Sequence, residues 1–249
     1  MPFTPAHVAA VLPLRGRPYF PFAALAAGSM SPDLPYFLPF SGSIPRHVTH
    51  SVWSIPTWDL LFGMALWLVW RWVAPIVHDV APRPVRTRWT PPTGQDPAWL
   101  GVVAAVVVGS ATHILWDALT HAGYLTSVIG PLAAIHDSPL GRHHGYSYLQ
   151  YASGALGLAV LLWVGFRQPP RSPGPRRQPG TAAAAPAIVI AAALLAVALR
   201  VTTMHDPTDR RAMVFTTVTS SISGAALGVI VVCVAHALID LRVARHHAA

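Results

Sequence analysis

Five stretches of the chain stay apolar for long enough to cross a bilayer: 57–74, 98–119, 149–166, 182–201 and 214–241. Each approaches or exceeds the roughly 20 residues that a helix needs to span the hydrocarbon core. In lipid the backbone must satisfy its own hydrogen bonds, so helices are the expected form. Residues 20–30 are equally apolar but only about half as long, and a Pro/Arg break precedes them. They predict a short N-terminal re-entrant or interfacial helix. Thr4 followed by Pro5 marks an earlier helix start, with His7 in its first turn and an end near Pro13. The expected fold class is therefore all-α: a polytopic integral membrane protein of about five transmembrane helices plus the N-terminal segment.

The polar intervals divide this single membrane-embedded domain, 1–249. Residues 1–51 form the re-entrant segment and a loop carrying Arg46, His47, Thr49 and His50. Spans one to three occupy 57–166, with 75–97 as a Pro/Arg-rich connection and 120–148 as a long loop of the kind that often has a function. A stiff Pro/Arg linker, 167–181, leads to spans four and five and a basic tail, 182–249.

Alternation of five spans puts the start of span one, the end of span two and the loop after it on one side. If 20–30 is re-entrant, His7 and Asp33 join them. His7, Asp33, His47, His50, Asp59, His113, Asp117 and His121 then converge. Loops on the opposite side hold ten of the 17 Arg, against seven on the convergent side, which by the positive-inside rule favours an extracytoplasmic site in a cell membrane.

Composition supports this picture: 53% hydrophobic and 10% charged is too apolar for an ordinary soluble domain of 249 residues. The net charge of +8 comes from Arg in short loops, which points to anionic membrane lipids and not to nucleic acid. The 17 basic residues are all Arg, so a lysine nucleophile or Schiff base is excluded. The one cysteine, Cys233, lies in an apolar run and reads as a packed core residue. The N-terminus has no basic region before its short apolar run and does not read as a cleaved signal.

The chemistry concentrates in GSATHILWDALTH, residues 109–121. On a helix, His113, Asp117 and His121 fall at i, i+4 and i+8 and share one face, with neighbouring Cβ atoms roughly 5–6 Å apart. An ionisable face in or near a span is costly unless it is partnered or functional, and a divalent metal offsets that cost. Imidazole and carboxylate without thiolate suit zinc, manganese or iron, with zinc or manganese expected here. The candidate metal ligands are His7, His50, His113, Asp117 and His121. Asp33 and Asp59 are candidate proton acceptors or further ligands, and Arg46 is a candidate phosphate holder. Such a set exceeds one tetrahedral shell, so two ions or additional orienting residues are both open. The same spacing recurs at His236 and Asp240, expected at the opposite side as a local hydrogen-bonded pair. His136, His143 and His144 read as solvated loop histidines, and the Ser/Thr run 216–223 reads as packing between helices.

Several of these motifs carry a resemblance. MPFTPAH with His7, GSMSPDLPYF with Asp33, RHVTHS with Arg46 and His50, and THILWDALTHAG with His113, Asp117 and His121 resemble a family of bacterial membrane proteins of unknown function, most clearly over residues 1–125. That family is in turn similar to predicted membrane-bound metal-dependent hydrolases. The resemblance implies a metal-dependent hydrolase, and a phosphoester of a lipid or lipid-linked molecule is the expected substrate. The alternatives are a cyclase- or isomerase-type membrane enzyme using the same carboxylates, and a non-enzymatic protein that binds or transports a metal ion or protons. Oligomeric state is not legible.

Overall fold

The computed structural model describes residues 4–38, 44–91, 97–139, 141–204, 206 and 208–248. A 3₁₀ helix, Thr4–Leu14, leads to α1 (Phe22–Met30), a second 3₁₀ helix (Ser31–Phe37), α2 (Arg46–Thr49) and a 3₁₀ turn (Val52–Ser54). Then come α3 (Trp58–Val80), α4 (Arg83–Arg86), α5 (Trp99–Thr120), α6 (Tyr124–Val128) and α7 (Gly130–Ala133). The strands β1 (Ile135–Ser138) and β2 (Gly141–His144) precede α8 (Gly145–Phe166), α9 (Pro179–Val201) and α10 (Arg210–Ala248). Among the described residues five helices, α3, α5, α8, α9 and α10, are long and apolar enough to cross a membrane. The protein is an all-α polytopic membrane protein.

Several boundaries differ from the sequence pattern for physical reasons. Helix α3 continues through Pro75 to Val80, and α9 carries Pro186 in its interior. Proline is tolerated in a membrane helix because neighbouring groups re-satisfy the backbone bond that it removes. Helix α10 outruns its apolar stretch at both ends, through Arg210 and into the basic tail. The interval 120–148 has local structure of its own: two short helices and an antiparallel hairpin that pairs His136 with His143. The first motif starts at residues 1–3, and part of the loop before Arg46, 39–43, also lies outside the described residues.

The N-terminal segment is a helical hairpin packed against α3, α5 and α8. Its first 3₁₀ helix starts at the end where Thr4 meets Asp33 and descends to Arg15, which shares a cavity with Arg88 and Gln168 at the other end of the bundle. Helix α1 then returns alongside α5, from Tyr19 lying over Gly101 to Ser29 at His113. The two helices touch backbone to backbone. A methyl group on Gly28 would fall on the Val106 backbone, and one on Gly109 on the Leu25 carbonyl and Ser29 nitrogen. Ala24, Leu25 and Ala27 are thereby buried with Val11, Trp67, Val102, Ala105 and Val106 in the main core.

Helices α9 and α10 pair closely, Gly224 and Gly228 seating against Val189, Ala192 and Ala193. Buried Cys233 joins Val73 and Ile76 where α10 crosses α3. Helix α10 runs between the two ends of the bundle: Phe215 packs on Tyr36, Ser223 donates to the Phe37 carbonyl, and His236 meets Asp79 at the end of α3. The other Ser/Thr hydroxyls of this run that have described bonds, at Thr219 and Ser221, turn back to their own helix.

One expectation is corrected by the hairpin. Arg15 and Arg17 were expected at the convergent side, but they line a cleft with Arg71 and Arg88 at the opposite end. Moving those two turns ten against seven into twelve against five.

Candidate metal centre

Three elements bring the site together. The second 3₁₀ helix supplies Asp33, the end of α2 supplies His50, and successive turns of α5 supply His113 and Asp117. One ligating atom from each of these four side chains lies within 4.8 Å of all the others. Asp33 and His113 are completely buried, and Asp117 nearly so. His50 Nε2 stands 3.3 Å from Asp33 Oδ1 and 3.2 Å from Asp117 Oδ2. His113 Nε2 stands 3.7 Å from each of the same two oxygens.

Tautomers follow from the outer contacts. His113 Nδ1 lies 2.7 Å from the Ser29 carbonyl, an acceptor only, so Nδ1 carries a proton. On a neutral ring the Nε2 lone pair then faces Asp33 and Asp117. His50 Nδ1 lies 3.2 Å from the Arg46 carbonyl and 3.1 Å from the Thr49 hydroxyl, which itself donates to that carbonyl. His50 Nε2, His113 Nε2 and Asp33 Oδ1 are buried without a hydrogen-bond partner among the described residues, and the Asp117 Oδ2 that faces the two imidazoles accepts from Arg46. Lone pairs converging on lone pairs call for a cation between them, and the donor set fits a divalent metal.

The surroundings orient the four. The Thr4 hydroxyl donates to Asp33 Oδ2 at 2.6 Å, and Arg46 donates to Asp117 Oδ2 at 2.6 Å. Asp59, completely buried in the first turn of α3, accepts from the Ser54 hydroxyl at 2.6 Å and keeps its other oxygen unpartnered among the described residues. Burial pulls the His50 imidazole towards a lower pKa, but the facing carboxylates of Asp117 and Asp33 outweigh it and the net shift is upward. His7 is lowered to about 4, by burial first and then by the charge of His113.

The expected site residues therefore separate into groups. His50, His113 and Asp117 are joined by Asp33, which the sequence pattern offered as a proton acceptor or a further ligand. His7 stacks on His113 with ring centroids 3.8 Å apart, its Nε2 3.6 Å from Asp117 Oδ1. His121 keeps Nδ1 3.4 Å from Asp117 Oδ1 but turns Nε2 to the Gln150 amide at 2.9 Å on α8. His47 is exposed. The orienting groups Thr4, Ser29, Ser54 and Gln150 went unread in sequence, since polar side chains and carbonyls of this kind carry no spacing signal. Of the loop histidines, His136 is exposed, and His144 Nδ1 pairs with the Ala133 carbonyl at 2.7 Å.

The second His/Asp pair lies at the other end, as expected. His236 Nδ1 is 3.3 Å from Asp240 Oδ2, but its Nε2 meets Asp79 Oδ2 at 3.0 Å. Asp79 also accepts from the backbone N–H groups of Arg177 and Gln178. Asp79 is separated from Asp59 by nearly the length of α3, about 30 Å of helix rise.

A five-span helical bundle enclosing a buried two-His, two-Asp cluster that can hold a metal ion defines the class of this protein. The chain belongs to the family described as a domain of unknown function, DUF4184, whose model matches residues 1–234. The match extends well past the N-terminal half in which the motifs are most recognisable. No curated protein and no solved structure matches the chain.

Proposed function

We propose that this protein is a membrane-embedded, metal-dependent hydrolase that acts on a phosphoester of a lipid or lipid-linked substrate. One observation carries the metal. Four ligands about 2.1 Å from a tetrahedral ion are separated by about 3.4 Å, and the four His-to-Asp edges here measure 3.2, 3.3, 3.7 and 3.7 Å. Zinc fits that spacing, and manganese suits the same donor types.

When bound, the ion supplies Lewis acidity and lowers the pKa of a coordinated water towards about 7. Asp33, His50, His113 and Asp117 hold it, while Thr4 and the Ser29 carbonyl orient two of them. Arg46, with 37% of its side chain exposed, sits between the buried cluster and the surface, and its guanidinium suits a phosphate. Asp59, steadied by Ser54, has an unpartnered oxygen and serves as proton acceptor. The twelve-to-five distribution of Arg favours an extracytoplasmic site in a cell membrane, with membrane lipids as the source of substrate.

A second reading has its own observation. Four protein ligands complete a tetrahedron, which is the pattern of closed structural sites, whereas catalytic zinc sites keep a position open. On that reading the protein binds or passes a metal ion without turnover. The deciding experiment uses purified protein in detergent. One equivalent of metal per chain, lost in His113→Ala and Asp117→Ala, together with chelator-sensitive phosphate release from lipid substrates, supports the hydrolase. Metal without turnover, and metal flux in sealed vesicles, supports the carrier. Metal content unchanged in both variants refutes the site.

A further inference from the structure

At the end of the bundle away from the cluster, a cleft of about 1330 Å³ opens between the N-terminal hairpin, α3, α8 and the segment after α4. Its walls differ from those of the metal centre. Four Arg line it (Arg15, Arg17, Arg71 and Arg88), with no Asp or Glu among the described lining residues. Arg15 stacks over Phe22 and Arg71 over Trp67, with guanidinium carbons 5.9 and 5.1 Å from the ring centroids. Neither Arg15 nor Arg17 makes an ion pair with a carboxylate among the described residues. Trp70 and Trp89 meet 5.5 Å apart beside the Arg group, as expected of aromatic rings at a membrane interface.

From the Arg group an apolar slot follows one face of α1, past Ala23 and Ala26 to Met30, opposite Leu66 on α3 and Leu161 on α8. Phe22 to Met30 amounts to about 12 Å of helix rise. A ring of cations at the membrane surface continuing into an apolar slot matches one ligand chemistry: an anionic head carrying a long hydrocarbon chain. A free phosphate has no use for the slot, and a zwitterionic lipid, neutral overall, does not answer an Arg group in which Arg15 and Arg17 face no carboxylate among the described residues.

We infer that this cleft is a binding site for an anionic phospholipid, headgroup at Arg15, Arg17, Arg71 and Arg88 and one chain along α1. The site is separate from the metal centre. Arg71 lies twelve residues after Asp59 on α3, about 18 Å along the helix.

The test is Trp quenching by lipids with brominated chains, because Trp67, Trp70 and Trp89 line the cleft. Full-length protein is reconstituted with brominated phosphatidylglycerol or brominated phosphatidylcholine. The glycerol lipid is expected to quench at much the lower mole fraction. At about fivefold for each Arg near the surface, Arg15→Gln with Arg17→Gln lowers its relative association constant roughly thirtyfold. Both residues are exposed, so metal content and melting temperature stay as in the wild type. Ala26→Phe fills the slot without touching an Arg and also removes the preference. Equal quenching of the wild type by the two lipids overturns the inference. Competition by millimolar inorganic phosphate overturns it in favour of a free-anion site. An unchanged preference in both variants overturns it as well.

Discussion

Thr4→Val is the most informative single change at the metal centre, because it alters neither a ligand nor the volume of the side chain. The Thr4 hydroxyl donates at 2.6 Å to Asp33 Oδ2, in a buried contact between residues 29 apart in sequence. It holds the carboxylate so that Oδ1 faces His50 and His113. A hydrogen bond to a charged group contributes about 1.5–3 kcal/mol. Without it Asp33 can rotate when the ion is absent, and that freedom must be given up again on binding. The expected loss of metal affinity is about 10- to 100-fold, the range found when a residue orienting a ligand is removed. The assay is zinc affinity by competition with a chromophoric chelator in detergent, beside thermal melting of the metal-free protein. Thr112→Val is the control. Among the described residues its hydroxyl bonds only to the Gly109 carbonyl of its own helix, and no change in affinity is expected. A folded Thr4→Val protein that binds zinc within twofold of wild type would refute the reasoning.

Arg46→Met removes the hydrogen bond to Asp117 Oδ2 and should weaken metal binding about 10- to 100-fold; at saturating metal it should still lose about 10²–10³ in turnover on phosphoesters, the usual effect of removing one donor to a developing negative charge, measured as kcat in detergent. Acid should weaken metal binding with a defined slope. The His50 pKa is raised by Asp117 and Asp33 against the pull of burial, and a ligating nitrogen must first lose its proton. Affinity measured by chelator competition should therefore be level above that raised value and fall about tenfold per pH unit below it. Gly109→Ala pushes a methyl group into the Leu25 carbonyl and Ser29 nitrogen. It should cost about 1–3 kcal/mol in melting experiments and reduce metal content with it, whereas Gly165→Ala, with nothing within 4 Å, should do neither. His236→Ala with Asp240→Ala should destabilise the protein by about 1–3 kcal/mol through the lost buried contact between His236 and Asp79 and leave metal content intact; loss of metal would refute the placement of that pair.

What the sequence determined by itself was whatever repeats within one helix or follows from length. Apolar stretches of about 20 residues announce spans because lipid leaves the backbone no partner outside the helix. The i, i+4 spacing put His113 and Asp117 on one face because helical geometry is local. Alternation of spans then predicted that His50, Asp33 and His7 meet that face and that His236 does not, and the contacts agree. Helix ends were less legible. Pro75 reads as a stop by rules that assume water, and the membrane helix passes through it. Tertiary structure alone decided the rest. His121 shares the face of Asp117, yet the Gln150 amide on α8 takes its Nε2. Asp33, which the sequence left open as a proton acceptor or a further ligand, is one of the four clustered side chains because α1 packs backbone to backbone on α5 at Gly28 and Gly109, setting the next 3₁₀ helix over His113. Arg15 and Arg17 changed ends because the hairpin runs as deep as the bundle. These outcomes depend on how closely two surfaces approach, and that distance is set by packing between segments distant in the chain, which no local periodicity encodes.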